Sequence, residues 1–282
     1  MQDITYLQPK SIEELLSVRA STGGSILAGG TDILPRLRKG GNYGDVLIDI
    51  SRIPELGEIK VSDGLISIGA MVTYHQIETS SEIQRAAPIL EMAASDVGAL
   101  QTRQKGTVGG SIGNASPASD IMLPLLALDA QVTLMSINDT RTLPLREFVL
   151  GPGRIAIKKD EFISRISFPV LPGEAQYFFM KHGKRNALAC AVVNAAIVML
   201  APGGTTVTDV RIALGSVAPR QIRCVKTEEF LLGKQLNEEV IKQASELAES
   251  EVTPISDVRA SAEFRSYLVN KLVARGLLSF VK

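Results

Sequence analysis

The beginning of the chain alternates between one helical pattern and several short apolar runs. Ser11 and Glu14 have the spacing of a capping box in front of two leucines, which predicts a helix ending near residue 20. The apolar runs that follow predict buried strands at 25–28, 46–50 and 65–69. Helix and strand segments therefore share the first part of the fold.

From residue 74 to residue 100 the apolar positions follow helix spacing, with an interruption at Pro88. The glycine-rich segment that follows, at 106–113, predicts a loop. Beyond it the pattern predicts a short helix at 118–128 and strands at 131–135 and 162–168.

Pro169 and Gly173 bound the best linker candidate, so we place the main boundary near residue 172. After this boundary, Asn237 is positioned to cap a predicted helix at 238–249. The predicted strands there are 176–181, 188–200 and 206–217, and the predicted helices are 238–249 and 262–275. Strands followed by helices predict an α+β unit.

Composition narrows the functions that this fold could serve. The chain of 282 residues carries 30 basic and 30 acidic side chains, and this balance argues against nucleic acid held by a basic surface. Cys190 and Cys224 are too few for an iron–sulfur cluster, and two histidines leave little for a metal centre. We therefore predict no metal site in this chain and an organic cofactor for any difficult chemistry.

The hydropathy of the chain predicts a cytoplasmic protein without a membrane span. The longest apolar stretch, 187–201, is too short to cross a bilayer and contains Asn194. The first four residues lack the basic and then apolar pattern of a signal peptide.

Two glycine-rich segments are the candidate ligand-binding segments of the sequence. The first is 27–32 and the second is 106–114, and each contains a glycine pair beside a small hydroxyl residue. Because glycine lacks Cβ, backbone N–H groups in such turns can approach an anion closely. Two of them in one domain suit a pyrophosphate held from two sides, although either one could also be a tight turn between strands.

The second segment continues into groups that bind hydroxyls or cap a helix. Asp120 is able to accept hydrogen bonds from a ribose, and the alternative is that Ser119 or Asp120 caps the following helix. Residues 109–113 also match G-x-S-x-G, but the polar lead-in is not the buried strand that a hydrolase elbow needs. His182 would have to complete a catalytic triad, and nothing else in the sequence supports that role. Neither segment has the order of a Rossmann fingerprint or a Walker A motif.

Three segments in their joint order resemble the FAD-binding subunit of molybdenum hydroxylases. They are LAGGTD at 27–32, KGTVGGSIGNASPASD at 105–120 and IALGSVAPR at 212–220. That family includes the medium chain of aerobic carbon monoxide dehydrogenase and the flavin domain of xanthine dehydrogenase. The resemblance covers nearly the whole chain, as far as residues 261–265 in the last predicted helix.

The resemblance implies an α+β fold in three parts. A two-subdomain FAD-binding fold of the PCMH type would occupy 1–55 and 56–172 and bind FAD between the subdomains. A C-terminal α+β domain with an antiparallel sheet and helices, 173–282, would cover the flavin. The family boundary agrees with the linker found independently from the residues.

The resemblance also implies which residues bind FAD. Those expected along its pyrophosphate and ribityl region are Leu27, Ala28, Gly29, Gly30, Thr31, Asp32, Thr107, Gly109, Gly110, Ser111 and Asn114. Ser119 and Asp120 match positions on the adenosine side, and Lys181 matches a lysine near the flavin ring. Ser164 or Ile163 is expected to supply a backbone contact near the flavin. A solvated strand end is the alternative for Lys181.

The implied function is electron relay, and no side chain of this chain is expected to act as a catalytic acid or base. In the family, substrate is oxidised at a molybdenum–pterin cofactor in a large subunit. Electrons then pass through [2Fe–2S] clusters in a small subunit to FAD and on to NAD⁺ or a quinone. The resemblance implies both partner subunits, in a dimer of heterotrimers, and no nucleic acid.

Two other functions stay open from the sequence. One is a stand-alone flavin oxidoreductase with the same FAD-binding architecture, and the other is a non-catalytic nucleotide-binding or assembly module. The chain also departs from the benzoyl-CoA-type branch of the family, because it lacks the cysteines that bind an extra cluster there.

Overall fold

A computed structural model of the protein describes residues 4–281. Met1 to Asp3, on which part of the signal-peptide prediction rests, lie outside the described residues. Within the described range, no helix combines the length and the hydropathy that crossing a bilayer requires.

A small parallel sheet with two helices forms the N-terminal part. Its strands lie side by side in the order β1-β3-β2. The elements are β1 (Thr5–Leu7), α1 (Ile12–Thr22), β2 (Ser25–Leu27), α2 (Ile33–Arg38) and β3 (Val46–Asp49). The predicted capping box is confirmed in part: the Ser11 hydroxyl accepts a hydrogen bond from Glu14 N, and Gly23 ends α1 in the left-handed region.

A five-stranded antiparallel sheet forms the middle of the chain, with the strand order β4-β5-β10-β6-β7. A 3₁₀ helix at Pro54–Gly57 precedes it, and β8 pairs only with β9. The elements are β4 (Ile59–Ser62), β5 (Leu65–Gly69), α3 (Tyr74–Thr79), α4 (Ser81–Ala86), α5 (Pro88–Ser95), α6 (Leu100–Arg103), α7 (Val108–Asn114), α8 (Met122–Ala127), β6 (Gln131–Met135), β7 (Thr140–Pro144), α9 (Leu145–Phe148), β8 (Val149–Gly151), β9 (Arg154–Ile155) and β10 (Phe162–Pro169).

The segment 74–100, which was predicted to be helical, forms several short helices because capping residues within it end one helix and begin the next. Thr73 and Gln76 form a capping box at the start of α3. Ser80 ends α3 and caps α4 with its hydroxyl. Pro88 opens α5, where its missing N–H and fixed φ are tolerated.

The C-terminal part is a four-stranded antiparallel sheet followed by helices, as predicted. The strand order is β11-β12-β13-β14. The elements are β11 (Gln176–Gly183), β12 (Ala191–Leu200), β13 (Asp209–Gly215), β14 (Ile222–Arg223), α10 (Val225–Leu231), α11 (Glu238–Ser250) and α12 (Ala262–Leu278).

β12 is buried on both faces, which explains why its sequence is an apolar run rather than an alternating one. Ile197 and Met199 pack against the C-terminal helices. Ala196 and Val198 belong to the core of the middle part, together with residues of α8. The C-terminal sheet is therefore one wall of the preceding core. The predicted ranges 1–55, 56–172 and 173–282 stay predictions.

A buried carboxylate joins β7 to the segment before β10. Glu161 is 2% exposed and accepts two hydrogen bonds from Arg141, of 2.6 and 2.8 Å. It also accepts one from Lys158 N at 2.7 Å, while Arg141 donates to the Ala156 carbonyl. Hydrogen bonds from Arg141 hold the pKa of Glu161 below its ordinary value, against the opposing effect of burial.

We expect Glu161→Gln to lower the free energy of unfolding at pH 7 by about 1.5–3 kcal/mol, because charge-assisted hydrogen bonds are replaced by weaker ones. A lowered native pKa stabilises the fold above the unfolded-state pKa of about 4.3, and this contribution is lost as the pH falls through the native value. Urea unfolding from pH 7 to pH 3 should show the difference between the proteins shrinking.

The matched control is Glu147→Gln, which removes an exposed carboxylate that lies 3.9 Å from Arg146. Its effect on the unfolding free energy should stay within about 0.5 kcal/mol. A difference between the wild type and Glu161→Gln that does not change with pH would contradict the assigned role of the Glu161 carboxylate.

Candidate functional site

The first glycine segment leaves β2 at the carboxyl end of the parallel sheet, where open α/β sheets bind ligands. Leu27 is buried in β2, and Gly30 has φ of 73°. Asp32 forms an ion pair with Arg36 at 2.8 Å and makes no capping bond with its side chain. Among residues 4–281, the N–H groups of Gly29, Gly30 and Thr31 take part in no hydrogen bond. These N–H groups are available to an anion.

The second glycine segment is a short helix, α7, and not the predicted loop. Thr107 caps it, accepting a hydrogen bond from Gly110 N at 3.0 Å. Val108 N and Gly109 N donate to the carbonyls of Val72 and Ala70. A Cβ on Gly109 would lie 2.6 Å from the Ala70 Cβ, so glycine is required for packing there. The first amides of α7 are thus already bonded, and Gly109 serves close packing.

The two glycine segments meet at their backbones. A Cβ on Gly29 would overlap the carbonyl oxygen of Lys105, immediately before the second segment. Gly110 is exposed, and a Cβ there would lie 2.9 Å from Thr107 Oγ1 and 3.7 Å from the Ala28 Cβ. The first segment, with its free N–H groups, therefore lies next to a residue of α7 that has no side chain. This arrangement fits the pyrophosphate of FAD.

Hydroxyl groups line the region next to the glycines. The hydroxyls of Ser111 and Ser119 share a hydrogen bond of 2.7 Å, and Ser119 accepts a longer one from Met122 N. The ring of Tyr74 lies under Gly106, whose Cβ would be 2.6 Å from Tyr74 Cε2. Burial raises the pKa of the Tyr74 phenol, which stays protonated at neutral pH.

A buried ion pair connects this region to the C-terminal sheet. Lys181 Nζ lies 2.8 Å from Asp120 Oδ2 and also contacts the carbonyl of Asp96. Asn194 Nδ2 donates to Asp120 Oδ1 at 2.9 Å. Burial raises the pKa of Asp120, and Lys181 and Asn194 oppose this effect because they stabilise the carboxylate. Asp120 and Lys181, both predicted to contact FAD, are therefore bonded to each other.

The remaining predicted residues differ in their positions. Asn114 is the last residue of α7 and precedes Ala115, which has φ of 46°. Thr31 is exposed beside the free amides. Ser164 is buried in β10 and donates to the Thr133 carbonyl, so its hydroxyl serves the five-stranded sheet. The residue-level FAD contacts stay predictions.

Asn194 and Tyr74 are residues of this region that the sequence analysis does not place there. Asn194 interrupts an apolar run, and an isolated amide in a fully buried strand is the signal that could have identified it. Tyr74 carries no such signal, because its position depends on contacts distant in sequence. Within residues 4–281, no three His, Cys, Asp or Glu side chains are grouped as a metal site would require.

Two known domain families match the chain. Residues 2–171 match the family described as "FAD binding domain in molybdopterin dehydrogenase". Residues 178–280 match the family described as "CO dehydrogenase flavoprotein C-terminal domain". Together these matches leave few residues of the chain outside a known domain.

Related proteins match the chain along almost its whole length. The glyceraldehyde dehydrogenase medium chain of Sulfolobus acidocaldarius is 31% identical over 274 residues, which is 97% of this chain and 96% of that one. The carbon monoxide dehydrogenase medium chain of Hydrogenophaga pseudoflava is 31% identical, over 96% of this chain and 95% of its own.

Solved structures show the same fold. A chain of carbon monoxide dehydrogenase from Hydrogenophaga pseudoflava has a TM-score of 0.94 and 30% identity, covering 98% of this chain and 96% of its own. A chain of quinoline 2-oxidoreductase from Pseudomonas putida 86 has a TM-score of 0.93 and 29% identity, with the same coverage.

These matches confirm the α+β fold class, the family resemblance and FAD as the cofactor that were predicted from the sequence. The matched relatives are subunits of dehydrogenases and hydroxylases, so the assignment to the oxidoreductases is confirmed as well. The chain belongs to the family of FAD-binding medium subunits of the molybdenum hydroxylases.

Proposed function

We propose that this chain holds FAD between the first glycine segment and α7 and relays electrons through it. The electrons come from [2Fe–2S] clusters of a small partner subunit, after substrate oxidation at a molybdenum–pterin cofactor in a large one. They leave to a terminal acceptor, NAD⁺ or a quinone. The proposed assembly is a cytoplasmic dimer of heterotrimers, and its relatives named medium chain or FAD-binding subunit support a multi-subunit enzyme.

The observation that carries the proposal is the division of roles between the two glycine segments. Gly29, Gly30 and Thr31 supply unpaired N–H groups that bind an anionic pyrophosphate. α7 supplies a flat surface at Gly110 and the hydroxyl of Ser111. FAD, when bound, supplies redox chemistry that matches one-electron clusters to a two-electron acceptor. The backbone and side chains of this protein bind and orient FAD.

The C-terminal sheet supports the site through hydrogen bonds to the segment after α7. Lys181 and Asn194 hold the Asp120 carboxylate from two sides. Gln221 Nε2 donates to the Ser116 carbonyl at 2.7 Å. We infer that these contacts keep the segment 115–120 in one conformation beside FAD.

We expect Gly110→Val to raise the Kd for FAD by at least about tenfold, since a side chain there fills the space that faces Ala28 and displaces the Thr107 hydroxyl that caps α7. FAD titration of the purified chain, followed by fluorescence, measures the effect. The matched control is Gly113→Ala, whose Cβ would meet only an ordinary contact of 3.7 Å with Ile163. Wild-type FAD affinity in Gly110→Val would count against placing the pyrophosphate between the two segments.

Lys181→Met should lower the free energy of unfolding by about 3–5 kcal/mol, because it leaves Asp120 buried without a cation. The double variant Asp120→Asn with Lys181→Met should recover part of the loss, since no buried charge then lacks a partner. Urea unfolding of the wild type, both single variants and the double variant measures the coupling. Strictly additive effects would show that the two side chains act independently.

Native purification tests the electron relay. We expect the chain to copurify with two partner subunits, and the complex to contain Mo, Fe and FAD in fixed proportions. Dithionite should bleach the flavin absorbance, and air should restore it. A purified single chain that oxidises an organic substrate without partners would instead support the stand-alone flavin oxidoreductase.

A further inference from the structure

Arg265 is a buried arginine inside the C-terminal part, far from both glycine segments in sequence. It lies in the first turns of α12 and is 2% exposed. Burial of a guanidinium costs free energy unless its N–H groups are hydrogen-bonded. Its partners therefore define what the side chain does.

The guanidinium bonds two backbone carbonyls and one carboxylate. Arg265 Nη1 donates to the carbonyls of Val192 at 3.0 Å and Ser216 at 2.7 Å. Arg265 Nη2 donates to Asp257 Oδ1 at 2.7 Å. Val192 lies in β12 and Ser216 directly follows β13, so Arg265 joins the ends of two neighbouring strands. A lysine cannot reproduce this planar set of donors.

Ser216 has a backbone conformation that needs external support. Its φ is 64°, in the left-handed region, which is unfavourable for a residue with a Cβ. In this conformation the carbonyl points to Arg265, while the N–H donates to the Pro117 carbonyl at 2.9 Å. The Ser216 hydroxyl donates to the Ala191 carbonyl. Loss of Arg265 would leave the buried Ser216 carbonyl without its charged partner.

Pro117 belongs to the segment 115–120, which runs from α7 to Asp120. A continuous set of hydrogen bonds thus runs from α12 through Ser216 to the segment that we place beside FAD. Lys181 and Asn194 reach the end of this segment, at Asp120, and the Ser216 N–H reaches its middle.

We propose that Arg265 is a positioning residue for the FAD site: by bonding the Ser216 carbonyl it fixes the backbone of Ser216, so that the Ser216 N–H holds the Pro117 carbonyl and orders the segment 115–120. The proposal rests on the FAD site proposed above. The hydrogen bonds of Arg265 go to Val192, Ser216 and Asp257, and it acts on the segment 115–120 through Ser216.

The test compares the full chain with Arg265→Ala and Arg265→Lys. Hydrogen exchange followed by mass spectrometry should show lost protection in peptides covering 113–121 and Ser216, with unchanged protection in β6 and β10. The Kd for FAD should rise about tenfold in both variants. Added methylguanidine should restore protection and affinity in Arg265→Ala, but not in Arg265→Lys.

The matched control is Arg141→Ala, which removes a guanidinium that bonds both a carboxylate and a backbone carbonyl. It should lower the unfolding temperature and leave exchange at 113–121 and the Kd for FAD unchanged. Asp257→Asn is a milder variant should Arg265→Ala fail to fold. It keeps both carbonyl bonds, and we expect a smaller loss of protection at the same peptides.

Unchanged exchange at 113–121 in folded Arg265→Lys and Asp257→Asn would overturn the proposal. The proposal would also be overturned if Arg141→Ala raised the Kd for FAD as much as the Arg265 variants do, because the loss of affinity would then result from a general loss of stability. Lost protection at 113–121 together with unchanged FAD affinity would retain Arg265 as the residue that orders the segment, and would overturn the placement of FAD beside it.

Discussion

The structure depends on one close approach between two stretches of backbone. Gly29 lies against the Lys105 carbonyl so closely that no Cβ fits between them. The first stretch follows a parallel sheet and the second precedes α7, beside an antiparallel sheet. Together with the apolar cluster in which Leu15 and Ile48 pack with Phe162 of β10, this contact holds the two sheets against each other. The free N–H groups next to Gly29 consequently lie close to the start of α7.

The sequence was sufficient for features that depend on neighbouring residues. Apolar runs located β2, β3 and β5, and strand signals followed by helix signals predicted the C-terminal part. The helix α7 was missed because glycines favour loops, whereas Thr107 and the distant carbonyls of Ala70 and Val72 bond the first amides of α7. Long-range hydrogen bonding, which local propensity does not contain, decided its structure.

In the candidate site, too, the sequence could not predict the contacts between residues that are distant in sequence. Glycine pairs and hydroxyl residues identified both segments, but the sequence could not show that Asp120 and Lys181 bond each other. The two residues are 61 positions apart in sequence, and they meet because β11 packs on the middle part of the chain. Buried ion pairs rarely add much net stability, although they do favour one arrangement over others. Here the pair specifies how the C-terminal sheet sits on the segment after α7.

The burial of β12 on both faces has a consequence for how freely the C-terminal sheet can move. Ala196 and Val198 would meet water if the sheet moved away as a rigid body, and Asp120 would lose both of its partners. Such an opening resembles partial unfolding in its free-energy cost. The C-terminal sheet and the middle part of the chain are therefore expected to unfold together, as one cooperative unit.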